Sequence, residues 1–144
     1  MAEHDPTTPE PDERLLAVRP LLLELHRQLL AAERADMERF QGRMSGAEFL
    51  QIATDSMRLA WLQPVSELIV EIDETLEGKG REPEGAGGEE AAAALIDRAR
   101  ALVAPPDADS PFGRRYLGML QRHPGIVMAH SALVQALSPA GRGP

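Results

Sequence analysis

Cysteine is absent from this 144-residue chain. That removes disulfides, thiolate metal sites and a cysteine nucleophile together. Aromatics are scarce, with three Phe, one Trp and one Tyr, placed at Phe40, Phe49, Trp61, Phe112 and Tyr116. β-Branched residues are sparse outside 65–72 and 126–134, and no stretch alternates apolar and polar with period two, so strands have no basis in the pattern. No run approaches the ~20 apolar residues of a membrane-spanning helix. Positive charge is short as well: 15 basic against 23 acidic residues leave a formal net charge of −8, and Lys79 is the only lysine. Nucleic acid and anionic membrane surfaces need clustered positive charge, so neither is expected as a partner. The start, "MAEHDPTTPEPDE", lacks the basic residues and continuous apolar segment of a secretory signal, which makes a cytoplasmic protein the expectation.

What is present is leucine and alanine at helical spacing. Hydrophobic residues make up 43 % of the chain, enough at this length for one domain around a single core. The fold class expected is all-α, an antiparallel bundle of four to six helices. Residues 1–11 hold three prolines and little apolar surface and should form a disordered tail. The domain then covers 12–138, and 139–144 is a loose tail.

Asp12 offers an N-cap to a first helix with two apolar faces. One carries Leu15, Leu22, Leu25 and Leu29; the other carries Leu16, Leu23, His26, Leu30, Met37 and Phe40. Such an arc is wider than a surface helix needs. Pro20 interrupts it, predicting a kink or a short first segment followed by the main helix. Gly42 suits a C-terminal cap, and Ser45 with Glu48 has the spacing of a capping box. Phe49, Ile52, Ser56, Leu59 and Leu62 lead up to Pro64; Val65, Ile69, Ile72 and Leu76 continue in nearly the same phase. The shared phase predicts a sharp kink or tight break at 62–64, both pieces facing one core, with Trp61 and Leu62 packed at the bend. Glu67 would then sit in the first turn of the second piece.

Residues 78–88, "GKGREPEGAGG", have the composition of a flexible loop, and their glycines lack the phosphate-loop spacing. A helix from about Glu89 to Ala104 follows. Ser110 or Asp109 caps the next, with Pro111 at its first position. "HPG" turns the chain into a last helix from Pro124 to about Leu137, with His123 as its cap.

Few constellations carry chemistry. Glu-x-x-His pairs, the signature of carboxylate-bridged metal bundles, do not occur, and no cofactor is implied. His26 and His130 lie on apolar stripes and are expected to be satisfied core or interface histidines; the sharper alternative has them converge with Glu33 on a metal or polar ligand. Glu67, Glu71 and Glu74 form a solvated face, whereas Asp73 at the stripe margin suits an ion pair with an arginine of another helix. Arg114, Arg115 and Arg122, with Tyr116 and His123, form a local positive excess. It fits either an anion site, since arginine holds carboxylates through paired hydrogen bonds, or charge complementarity with the acidic helix at 67–77. The serines include no nucleophile elbow.

Residues 61–74 resemble a "WL-x-P-x-SELIV-x-IDE" stretch of small uncharacterised bacterial proteins, through Trp61, Leu62, Pro64, Ser66 to Val70 and Ile72 to Glu74. A second shared stretch, "RRYL-x-x-LQR-x-P", matches Arg114 to Leu117, Leu120 to Arg122 and Pro124. The resemblance implies a helical fold and a bacterial source, and brings no activity, cofactor or catalytic residue.

The apolar surplus on the first helix, on 65–76 and on 126–137 suggests a second buried surface. A central helix buried on two sides explains it equally well. The function expected first is therefore a non-enzymatic helical interaction or regulatory module, a homodimer working through apolar helix faces. The second is a small-molecule-binding bundle with a pocket at the Trp61–Pro64 bend, lined by Trp61, Arg115, Tyr116 and His130, with arginine holding an acidic ligand. A metal-dependent enzyme comes third.

Overall fold

The 3.6-residue repeat of leucine along the first third of the chain builds one long helix. The computed structural model describes residues 11–78 and 86–138, and helix α1 spans Pro11–Gln41. It runs through Pro20 without a restart, so of the two outcomes expected there a separate first segment is excluded. The reason is where the proline points. Pro20 lies on the exposed side, and the carbonyl deprived of its N–H belongs to Leu16, itself 60 % exposed. Water can serve that carbonyl, which makes an interior proline tolerable on this side.

Five further helices follow: α2 (Gly46–Ser56), α3 (Gln63–Glu77), α4 (Ala86–Val103), α5 (Pro111–Arg122) and α6 (Pro124–Leu137), with one 3-10 turn at Ala60–Leu62. The described residues form helices and their connections with no strand, as the pattern predicted. Pro11 already opens α1, and α4 starts at Ala86, ahead of the expected Glu89. The remainder of the expected tails and of the 78–88 loop lies outside the described residues.

Helix α1 is the central element, packed by α6, α3 and α4. Of these, α6 and α3 run antiparallel to it. Arg14 near its start donates to the carbonyls of Leu137 and Ser138 at the end of α6, at 3.1 and 3.0 Å, while Gln28 lies against Gly125 at the start of α6. On the α3 side Arg19 pairs with Asp73, the ion pair that the margin position of Asp73 suggested. The main core joins Leu15, Leu22, Leu25 and Leu29 of α1 to Val65, Leu68 and Ile72 of α3, Leu95 and Ile96 of α4, Tyr116 of α5, and Ile126 and Leu133 of α6. The second apolar face of α1 is only partly covered. Leu23 and Leu30 pack against the core, but Leu16 is exposed and Phe40 is 89 % exposed.

The break before Pro64 is real and begins earlier than the expected 62–64. The capping box at Ser45 and Glu48 opens α2 as the spacing predicted. Helix α2 then closes on Met57, whose φ of 58° puts a non-glycine residue in the left-handed region, a conformation costing about 1–2 kcal/mol. The Arg58 N–H reaches back to the Ala53 carbonyl at 2.9 Å, closing the helix in Schellman fashion. The 3-10 turn leads directly into α3, which places Pro64 in the first turn, where a missing N–H breaks no bond. Because α3 starts at Gln63, Glu67 falls beyond that turn, not within it as expected.

Two helical pieces in one phase were expected to share one core, and they do so only in part. Phe49 and Ala53 close a satellite core with Met37 of α1 and Met44 just beyond it, Leu59 packs against both cores, and Leu62 joins Val65 in the main one. The left-handed residue swings the chain between the two, and phase counted through a break carries no information.

The α4–α5 connection is fixed by close approach. Ser110 caps α5 by accepting from Gly113 N at 2.9 Å and donates to the Asp107 carbonyl at 3.0 Å. A Cβ on buried Gly113 would collide with that same carbonyl. Gly113→Ala is therefore expected to destabilise the protein by about 1–3 kcal/mol in urea titration. Gly118→Ala, on the same helix with only a flexible arginine end near it, should be neutral or gain about 0.5–1 kcal/mol.

Candidate functional site

The apolar stripe of α1, followed down from Leu22, Leu25 and Leu29, arrives at two acids, Glu33 and Asp36. Both stay buried, Glu33 with no exposed surface at all. A carboxylate so placed loses several kcal/mol of hydration and needs full pairing. Glu33 has it: Arg58 Nε donates to Oε1 at 2.6 Å, and Trp61 Nε1 and Arg115 Nη2 donate to Oε2, both at 2.8 Å. One side chain thus ties together α1, the segment leading into the 3-10 turn, the turn itself and α5.

One turn further on, Asp36 accepts from Arg122 Nη2 at 2.9 Å. Burial pushes the Asp36 carboxyl up, but the Arg122 hydrogen bond and the charges of His123 and Arg122 outweigh it and hold the group below the ordinary range. His123 Nε2 stands 3.3 Å from Asp36 Oδ1, at ion-pair range but out of hydrogen-bond geometry, and neither atom has another hydrogen-bond partner. His123 does occupy the N-cap position of α6, but its side chain makes no capping bond and turns to Asp36 instead. The arginine excess on α5 is answered here too. Arg115 and Arg122 complement acids of α1, not those of 67–77, and Arg114 reaches the Asp109 carbonyl at 2.9 Å. The acidic face of α3 meets α4 instead, where Arg98 holds Glu71 at 2.6 Å.

From Glu33 an aromatic row runs through the corner. The Arg115 guanidinium lies 5.1 Å from the Trp61 ring centroid, a cation–π distance. Trp61 meets Phe112 at 5.6 Å, and Phe112 stacks on Tyr116 at 5.5 Å with an interplanar angle of 15°. The Tyr116 hydroxyl then meets His130 Nδ1 at 2.7 Å. Burial pushes the Tyr116 phenol up and the His130 imidazole down. Both are therefore neutral, with the hydroxyl donating and Nδ1 accepting. All four residues singled out from the sequence, Trp61, Arg115, Tyr116 and His130, belong to this row. Phe112, which the sequence reading passed over, is the link that joins them.

The corner opens on an open groove of about 530 Å³, lined by Ala60, Trp61, Gln63, Pro64, Glu67, Ser110, Pro111 and Phe112. It sits at the Trp61–Pro64 bend, where a pocket was expected. Of the four named residues Trp61 lines it; Tyr116 is fully buried behind Phe112, and Arg115 is taken up by Glu33 and the tryptophan face.

The histidines do not meet. His26 Nε2 pairs with Ser66 Oγ at 3.1 Å, and burial keeps its imidazole low, while His130 pairs with Tyr116. Each is a satisfied histidine on its own stripe. Among the described residues no group of three or more His, Asp or Glu side chains could hold a metal ion, and no helix is long and apolar enough to cross a membrane. Glu33 was weighed from the sequence only as a ligand. The signal for its role was its place beside the stripe, four residues after Leu29, with Asp36 seven after. Compared with known proteins, the chain matches no protein-family model, no curated protein and no solved structure.

The burial asymmetry of the hub is testable. Arg58 and Arg115 are 37 % and 50 % exposed while Glu33 is not exposed at all. Replacing both arginines by methionine strands a buried charge and should cost about 3–5 kcal/mol in urea titration. Glu33→Gln should cost less, because both guanidinium groups can turn to water and the amide oxygen still accepts from Trp61.

Proposed function

We propose that the chain is a non-enzymatic helical binding module whose recognition site is the groove between the 3-10 turn, the start of α3 and the start of α5. One observation carries this: the two aromatic rings lining the groove are held from behind. Trp61 is fixed by its hydrogen bond to Glu33 and Phe112 by stacking on Tyr116. Rings locked before a ligand arrives lose little rotamer freedom on binding, which is how pre-organised sites gain affinity. Concave, largely apolar sites with a few placed polar groups are the usual form of small-ligand pockets.

Benzyl alcohol is a neutral probe for such a site. Titrated into ¹⁵N-labelled protein, it should shift backbone resonances grouped on residues 60–67 and 110–112. Phe112→Ala should weaken its binding by about tenfold, equivalent to ~1.4 kcal/mol of lost ring contact. Shifts scattered over the surface, or centred elsewhere, would end the reading.

A second surface supports homodimerisation, the form of interaction expected first. Helix α6 contains no Asp, Glu, Lys or Arg over its whole length. On its outer side Val127 is exposed and Met128 is 73 % exposed. A face that carries no charge repels no copy of itself, and isologous contacts need such self-complementarity. Light scattering on untagged protein should report a dimer, and Met128→Lys a monomer. A wild-type monomer at micromolar concentration would remove the homodimer and leave the groove reading untouched.

A further inference from the structure

The groove has a chemical preference beyond shape. We infer that it takes an organic cation, a flat apolar body carrying an ammonium or amidinium group, with Glu67 as counter-charge and Trp61 and Phe112 as the apolar walls. This rests on the groove being a binding site, and it replaces the acidic ligand that a pocket armed with arginine would hold.

The inference comes from which polar atoms around the groove still have capacity. Several of the donors around it are engaged inside the protein. Trp61 Nε1 donates to Glu33 at 2.8 Å. The Ser110 hydroxyl donates to the Asp107 carbonyl at 3.0 Å. The Ala60 N–H goes to the Met57 carbonyl at 3.2 Å, and the Gln63 N–H to the Ala60 carbonyl. The Gln63 side-chain amide donates to Glu67 Oε2 at 2.8 Å.

Two helices begin at this groove, and a helix start normally offers N–H groups and a favourable dipole to an anion. Here each brings a proline into the lining, Pro64 on α3 and Pro111 on α5. A proline has no N–H, so each presents a ring where a donor would stand. The nearby guanidinium of Arg115 is already paired with the buried Glu33 and lies against Trp61.

Acceptor capacity, by contrast, is left over. Glu67 is the charged side chain in the lining. It receives one amide hydrogen bond, and among the described residues it pairs with no cation. A carboxylate accepts about four hydrogen bonds, so it keeps room for the N–H groups of a ligand. Aromatic rings beside a carboxylate favour a cation twice over, through the ring quadrupole and through charge.

Three probes sharing one ring separate the possibilities: benzylamine, protonated at neutral pH, benzyl alcohol and benzoate. They are titrated into the ¹⁵N-labelled full chain at low salt. From the strengths of exposed ion pairs and cation–π contacts, benzylamine should bind about fivefold tighter than benzyl alcohol, and benzoate more weakly than either. The advantage should shrink at 0.5 M salt, where charge is screened within roughly 4–5 Å. Glu67→Gln, an exposed substitution, should erase the advantage of benzylamine over benzyl alcohol. If benzyl alcohol shifts the groove resonances but benzylamine binds no tighter, or benzoate binds tightest, the cation preference is wrong and the groove remains a site. If none of the three moves those resonances, the binding site and its preference fall together.

Discussion

Glu33 is a carboxylate with no contact with water, set where the apolar stripe of the central helix ends. Leaving a buried carboxylate unpaired costs about 3–5 kcal/mol, a large share of the ~5–15 kcal/mol that holds a domain folded. Its partners come from two distant stretches of the chain, Arg58 and Trp61 in one and Arg115 in the other. Pairing it positions the corner. The place of helix α5 beside α1 is marked by Arg115 on Glu33 and by Arg122 on Asp36. The Trp61 ring, in turn, sits where its indole N–H can reach Glu33. The groove is the outer surface of an arrangement whose inner surface is an ion-pair hub. Charges of this kind contribute specificity of arrangement more than raw stability, since an apolar replacement of the whole set could be equally stable.

Much of the fold was legible because its causes are local. Leucine spacing, the Ser45–Glu48 capping box, the Ser110–Pro111 start and the glycine after α1 each determine backbone geometry within a few residues, and each appears as its residues predict. What was not legible depends on direction in space. Pro20 looked like an interruption, and only its place on the solvent side of α1 makes it tolerable. The break before Pro64 was visible, but its true start at Met57 was not. A left-handed methionine has no sequence signature comparable to glycine, and its presence separated Phe49 and Ala53 into their own small core.

The site divides along the same line. Aromatic and basic residues scarce enough to be noticed one by one, Trp61, Arg115, Tyr116 and His130, were named from the sequence and belong to a single row. The order of that row was hidden, because Phe112 holds it together across elements that the sequence leaves unconnected. The sign of the groove was hidden more deeply. Counting charges along α5 suggested a positive pocket, yet Arg115 and Arg122 are consumed by acids on α1, and the charged side chain lining the groove is Glu67. Charge counted along a helix says little until its partners are known.

Helix α1 finds its most extensive packing against α6, the segment farthest from it in the chain. Ribosomal synthesis makes α1 well before α6, so this broad apolar stripe exists before its principal cover. Until α6 emerges, α3 and α4 can shield only part of α1, and the Arg14 and Arg100 links to the Leu137 carbonyl cannot form. Long loop closure of this kind slows folding. The nascent chain therefore carries an unfinished core until α6 emerges, and α6 acts as the latch. A ribosome that stalls or terminates before α6 releases a chain with leucines uncovered, a natural substrate for chaperones and proteases.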